Sequence, residues 1–132
     1  MSCRIYMDHA ATTEMLPEVR EAMEPYLREE YGNASTSYEM GVRMHDVLED
    51  ARAKIARVID AQPEEIFFTS GGSESDNWVI KNVAGEKKHI GKHIITTKIE
   101  HHAILRSCQY LESLGYEVTY LDVDDYGLVR AE

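Results

Sequence analysis

Two short stretches carry residue types that could do chemistry. The first is "FFTSGGSESDN" at 67–77, where an aromatic, β-like run breaks into Gly71, Gly72 and Ser73. Glycines allow a sharp turn that exposes backbone N–H groups. A helix starting there adds its unpaired amide donors and the positive end of its dipole, which together favour an anionic phosphate. The same residues also suit a plain connection, in which Gly-Gly turns the chain and Ser73 caps the helix by accepting a hydrogen bond from a backbone N–H. The stretch matches neither the dinucleotide glycine pattern nor the P-loop, so those fingerprints do not apply. The second stretch is "IEHHAIL" at 99–105. His101 stands at the start of a helical pattern, where an imidazole can stack on a planar ligand or move protons. It can equally serve as an exposed or capping residue of a helix first turn. His102 points about 100° away on a helix, and helical metal-ligand pairs favour an i, i+4 spacing, so no metal site is expected.

Both stretches need elements to position them. Met44, Val47, Leu48, Ala51, Ile55, Val58 and Ile59 recur at steps of three and four and predict a helix over 43–59. Pro63 breaks it, and "EIFFT" at 65–69 reads as a short buried strand feeding the glycine loop. Trp78, Val79 and Val83 have helical spacing after that loop, with Gly85 as the expected stop. A β-branched strand follows at 92–98, then a helix at 100–115 with Ile104, Leu105, Cys108, Leu111 and Leu114 inward and Gly115 at its end. "YEVTYLDV" at 116–123 alternates like a third strand. Strands separated by helices imply parallel pairing, so the class is α/β, with the glycine loop and His101 both at the carboxyl ends of strands. Upstream, strand-like "RIYMD" introduces an amphipathic helix at 15–32 stopped by Gly32. "DDYGLVRAE" reads as a turn leading towards a further element. The organisation expected is an N-terminal segment and helix at 1–32, followed by an α/β layer at 33–132.

Composition narrows the partners. With 132 residues and 43% apolar content the chain is the size of one ordinary domain. The 24 acidic and 14 basic residues give a net charge of −10, which repels a nucleic-acid backbone and gains nothing at an anionic membrane surface. No run approaches the length of a membrane span and no signal-peptide core is visible at the N-terminus, so a cytoplasmic location is expected. Cys3 and Cys108 form neither a disulfide framework nor a metal spacing, and both are expected as reduced thiols.

Four segments together resemble one family, the pyridoxal-phosphate-dependent cysteine desulfurases of the class V aminotransferase group. "IYMDHAATT" at 5–13 is similar to that family's "YLDNAATT", "YGNASTSYEMG" at 31–41 to its "GNPSSxHxxG", and "FFTSGGSESDN" to its "FTSGATESDN". "GKHIITTKIEHHAIL" at 91–105 completes a collinear series. The resemblance implies the N-terminal part of a fold type I transferase large domain. It also implies pyridoxal 5'-phosphate as cofactor, with its phosphate held at Gly72 and Ser73. His101 would stack over the pyridine ring and take part in proton transfer. Ala11 and Thr12 match a segment lining the substrate side, and Asn33 matches a structural asparagine. The implied reaction converts L-cysteine to L-alanine and passes sulfur to an acceptor cysteine, for iron-sulfur cluster or thio-cofactor synthesis. Its implied partners are a sulfur-acceptor protein and a homodimer mate or complementing C-terminal chain.

Departures from the pattern are His9 for asparagine, Ala34 for proline and Tyr38 for histidine. The resemblance covers about the first third of such an enzyme. The family's Schiff-base lysine, its aspartate partner for the pyridine nitrogen and its sulfur-accepting cysteine have no matching positions. Lys54, Lys81, Lys87, Lys88, Lys92 and Lys98 lie in no motif, and neither Cys3 nor Cys108 matches the nucleophile. The chain is therefore expected to be inactive alone. A non-catalytic ligand-binding or dimerising module, or another class V activity such as selenocysteine lyase, are the alternative readings.

Overall fold

The computed structural model describes residues 5–130; Cys3 falls outside them. The chain divides into two compact units, the first ending at Phe67 and the second beginning at Phe68.

In the first unit, helix α1 spans Pro17–Arg28 and helix α2 spans Glu39–Val58. Pro17 suits the first helical position because its missing N–H would be unpaired there anyway. The helix ends four residues before Gly32. Glu29 and Glu30 both donate their N–H to the Pro25 carbonyl at 2.9 Å, which closes the last turn early. Gly32 is needed for a different reason: a Cβ there would fall 2.5 Å from Met40 Cγ and 2.6 Å from the Met40 carbonyl oxygen. Gly41 is tighter still, with a Cβ 2.0 Å from Thr36 Oγ1. The turn between them is closed by Asn33, whose Oδ1 accepts the Ser35 N–H at 3.0 Å and whose carbonyl accepts the Thr36 hydroxyl at 2.7 Å. These close approaches let α2 begin at Glu39 rather than at 43.

Neither expected strand upstream of the glycine loop forms. Ile5–Asp8 takes no strand; instead Asp8 starts a turn, its carbonyl accepting the Ala11 and Thr12 N–H groups at 3.1 and 3.4 Å. At 65–69, Pro63–Glu65 coil into a 3-10 turn, and Glu65 Oε2 reaches back to the Gln62 N–H at 2.7 Å. That capping draws Glu65 out of the expected strand. Ile66 leaves the turn in extended geometry, but the ladder described in the chain joins only two other strands.

Those strands lie in the second unit, an α/β arrangement of helix α3 (Gly72–Lys87), strand β1 (His93–Thr97), helix α4 (His102–Ser113) and strand β2 (Glu117–Leu121). The two strands pair in parallel, His93 opposite Glu117 and Thr97 opposite Leu121, as a strand-helix-strand sequence requires. Helix α3 continues through Gly85 to Lys87, so Gly85 is an interior residue and not a stop. Helix α4 does end at its glycine: Gly115 adopts φ +84°, the left-handed conformation that glycine reaches without steric penalty. The Tyr116 N–H then returns to the Leu111 carbonyl at 3.1 Å.

The core of this unit is one face of α4, where Ala103, Ser107, Cys108 and Leu111 are buried. Leu114, expected inward, is exposed because it follows the last helical turn. Tyr116 ties β2 to α3 by donating its hydroxyl to the Ala84 carbonyl at 2.7 Å. The helices α3 and α4 run side by side in the same direction. Asn77 meets Ser107 at the sixth position of each helix, and about one turn further along Lys81 Nζ sits 5.0 Å above the Tyr110 ring. Their N-termini therefore share one end of the unit.

Candidate cofactor site at two helix N-termini

The glycine loop enters α3 with Gly71 as the residue before the helix, and no side chain caps it. Ser73 lies at the second helical position, so the capping alternative is corrected: its hydroxyl makes no hydrogen bond among the described residues. The loop is held by its neighbours instead. The Thr69 and Ser75 hydroxyls are 2.7 Å apart, and Glu74 Oε2 accepts both the Ser70 N–H at 2.6 Å and the Ser70 hydroxyl at 2.7 Å. The first intrahelical bonds run from the Glu74 and Ser75 N–H groups to the Gly71 carbonyl. This leaves the Gly72 and Ser73 amides as helix-end donors without an intrahelical acceptor. A Cβ at Gly72 would meet nothing within 4 Å, so the space beside these donors is open. Two N–H groups, one hydroxyl and a helix dipole are a donor set for a phosphate.

The bonds from Ser70 hold the Glu74 carboxyl below the usual glutamate range, with the backbone N–H as the larger cause and the hydroxyl second. A folded-state pKa below the unfolded one means that the contribution is present above the unfolded value and is lost as pH falls through the folded one. The Ser70 amide resonance is accordingly expected to titrate with a midpoint below that of an unstructured glutamate. Glu74→Gln should abolish that titration; an unshifted midpoint would contradict the contact.

His101 is the residue before α4, and its Nδ1 accepts the Ala103 N–H at 3.2 Å. It is thus a capping histidine. Capping and ligand contact are compatible, because a ring that accepts through Nδ1 must, when neutral, carry its proton on Nε2 at the opposite corner. The His102 ring stands beside that of His101, the two centroids 6.2 Å apart and the planes inclined at 53°. Among the described residues no group of His, Cys, Asp or Glu could hold a metal.

Cys108 is fully buried, and burial first, then the Glu112 and Glu100 charges, push its thiol up. It stays neutral and inaccessible, unsuited to nucleophilic attack. Tyr120 is pushed up to about 12, by burial and by its bond to Glu112.

Gly72, Ser73 and His101 therefore belong to one unit and to helix ends that face the same way. Ala11 and Thr12 belong to the other unit, in the exposed turn after Asp8. Sequence reasoning passed over Asn77, Ser107 and Glu74. A signal for Ser107 was present, as a hydroxyl on the apolar face of α4 beside Cys108.

The family model for class-V aminotransferases matches residues 5–132. The chain belongs to that family. This class-V chain is 53% identical over 128 residues to the cysteine desulfurase IscS of Methanosarcina thermophila, covering 97% of the chain and 32% of that relative. It superimposes on a solved NifS-like protein with TM-score 0.91 and 42% identity, covering 97% of the chain and 35% of that structure. A structure described as SspA in complex with cysteine matches with TM-score 0.81 and 38% identity, over 87% of the chain and 33% of that structure. The class-V chain thus spans about a third of the length of the relatives it matches. No helix among its described residues is long and apolar enough to cross a membrane.

Proposed function

We propose that this chain supplies the phosphate-binding turn and the ring-side histidine of a pyridoxal-phosphate-dependent cysteine desulfurase. The observation that carries the reading is the first turn of α3. There Gly72 and Ser73 present two amides and a hydroxyl that the fold leaves without acceptors, beside open space and at the same end as His101. The donor set fits the phosphate group. The cofactor, when bound, supplies an electron sink for breaking bonds at the substrate's α and β carbons.

The chain's own residues have narrower tasks. Gly72 and Ser73 would donate to the phosphate oxygens, and the α3 dipole would favour their charge. His101, with Nδ1 engaged by Ala103, would offer its flat face to the pyridine ring and an Nε2 proton at its outer corner. Ala11 and Thr12 are proposed to line the substrate side. Lysine 81, the nearest in sequence to the turn, is engaged by Asn77 Oδ1 at 2.7 Å and by the Tyr110 ring. Covalent attachment of the cofactor and acceptance of sulfur are assigned to residues other than these 132, and a homodimer mate or a complementing chain is the proposed partner. L-cysteine is the proposed substrate, a sulfur-acceptor protein the proposed downstream partner, and the cytoplasm the proposed compartment.

The test is a titration of the labelled chain with pyridoxal phosphate, followed at individual amides. The Gly72 and Ser73 resonances should move, and inorganic phosphate should compete. Given L-cysteine and cofactor, the chain should release neither alanine nor sulfide. Unmoved amides would overturn the binding reading; turnover would overturn the division of labour.

A further inference from the structure

A continuous run of hydrogen bonds joins the two halves of the candidate site. Asn77 Nδ2 donates to the Ser73 carbonyl at 2.8 Å, within α3. Asn77 Oδ1 is 2.9 Å from Ser107 Oγ, across the interface between α3 and α4 and thirty residues away in sequence. Ser107 Oγ is also 2.8 Å from the Ala103 carbonyl, so its single proton is divided between two acceptors. The Ala103 N–H in turn donates to His101 Nδ1 at 3.2 Å.

Ser107 is 1% exposed, the one buried polar residue of the core among the described residues. A hydroxyl in that position carries a desolvation cost that alanine would avoid, and it is tolerated because both of its acceptors lie in place. Asn77 is held in a single orientation, since Lys81 Nζ also donates to Oδ1 at 2.7 Å and thereby assigns Nδ2 to Ser73. Apolar packing holds α3 against α4 by shape, and the Lys81–Tyr110 contact adds a second tie. A directional bond between two polar groups at equal depth in the two helices then fixes their register.

We propose that Asn77 and Ser107 are positioning residues: they lock the start of α3, with Gly72 and Ser73, in register with the start of α4, which orients His101. This rests on the reading of Gly72 and Ser73 as phosphate donors, and each end has its own readout. At the α3 end the readout is inorganic phosphate affinity, taken from Gly72 and Ser73 amide shifts. At the α4 end it is the tautomer of His101, taken from side-chain nitrogen shifts, which report whether the neutral ring carries its proton on Nε2.

Three variants of the full chain separate the possibilities, with circular dichroism confirming that each folds. Ser107→Ala should weaken phosphate binding roughly fivefold, the worth of one hydrogen bond, and should move the His101 ring towards a tautomer mixture. Asn77→Asp keeps the acceptor for Ser107 and loses the donor to Ser73. It should weaken phosphate binding while leaving the His101 tautomer in place. Ser113→Ala removes a hydroxyl bonded 2.6 Å from the Tyr110 carbonyl at the far end of α4 and should change neither readout. The proposal is overturned if Ser107→Ala leaves the His101 ring as in the parent chain, or if Ser113→Ala disturbs it equally. If the parent chain binds no phosphate, the donor reading fails by itself, and the His101 readout still decides the coupling. Should Ser107→Ala not fold, Asn77→Ala, on a less buried residue, takes its place with the same two expectations.

Discussion

Replacing Ser73 with aspartate is expected to abolish phosphate binding at the start of α3 while leaving the helix at least as stable as before. Aspartate at the second helical position faces the positive end of the helix dipole, which contributes about 0.3–1 kcal/mol in its favour. The same carboxylate stands beside the Gly72 and Ser73 amides, where the ligand's charge would otherwise sit. Two unit charges about 4 Å apart repel by about 1 kcal/mol with full water screening and about 4 kcal/mol near a protein surface. For a doubly charged phosphate even the lower figure corresponds to about a thirtyfold loss. The lost hydroxyl donor adds to it. Calorimetric titration with phosphate, alongside a thermal melt, reads both halves. Retained affinity in a stable Ser73→Asp chain would mean that the phosphate, if bound at all, is bound elsewhere.

Leu111→Ala should produce the largest loss of stability. Leu111 is 3% exposed and packs on the buried face of α4 beside Cys108 and Ser107. Truncating a buried leucine typically costs about 2–5 kcal/mol, depending on how far the neighbours relax into the space. That is a large fraction of the roughly 5–15 kcal/mol by which ordinary domains are stable. The sole tryptophan, Trp78, lies in α3, so its fluorescence during denaturant unfolding reports on the unit that Leu111 supports. Leu128→Ala, at a position 62% exposed, should change the midpoint little. Equal midpoints for the two variants would remove α4 from the core.

How far the sequence disclosed this arrangement depends on what each feature required. Helices α2 and α4 were legible because their stripes repeat with the period of a helix, although the α4 stripe lies in the core of its unit while Leu48, Ile55, Val58 and Ile59 of the α2 stripe stay exposed. The parallel pairing of β1 and β2 was legible because a helix separates them. Boundaries were less so. The start of α2 depends on Gly41 lying against Thr36, a contact made only after the turn closes. Gly32 and Gly85 looked alike as stops, yet one is demanded by Met40 and the other lies in a continuing helix. The run at 65–69 had strand composition, but capping by Glu65 competed for its first residue. At the site, the positions of Gly72, Ser73 and His101 at helix starts could be read from the pattern. That Ser73 would not cap and that His101 would could not, because both outcomes satisfy a helix end. The bridge from Asn77 to Ser107 pairs residues on two helices, and no local pattern records such a pairing.

The parallel course of the second unit also sets the order in which it can come into being. Its cross-links join Asn77 to Ser107, Ala84 to Tyr116, and His93 Nε2 to Thr119 Oγ1 at 2.7 Å. Each waits for a residue 26 to 32 positions later, and no hairpin can form first as a template. A growing chain that has reached residue 100 holds α3 and β1 with none of these ties made. The turn at Gly72 and Ser73 is thus closed early by bonds within residues 69–77, whereas its tie to the start of α4 waits until Ser107 has been made.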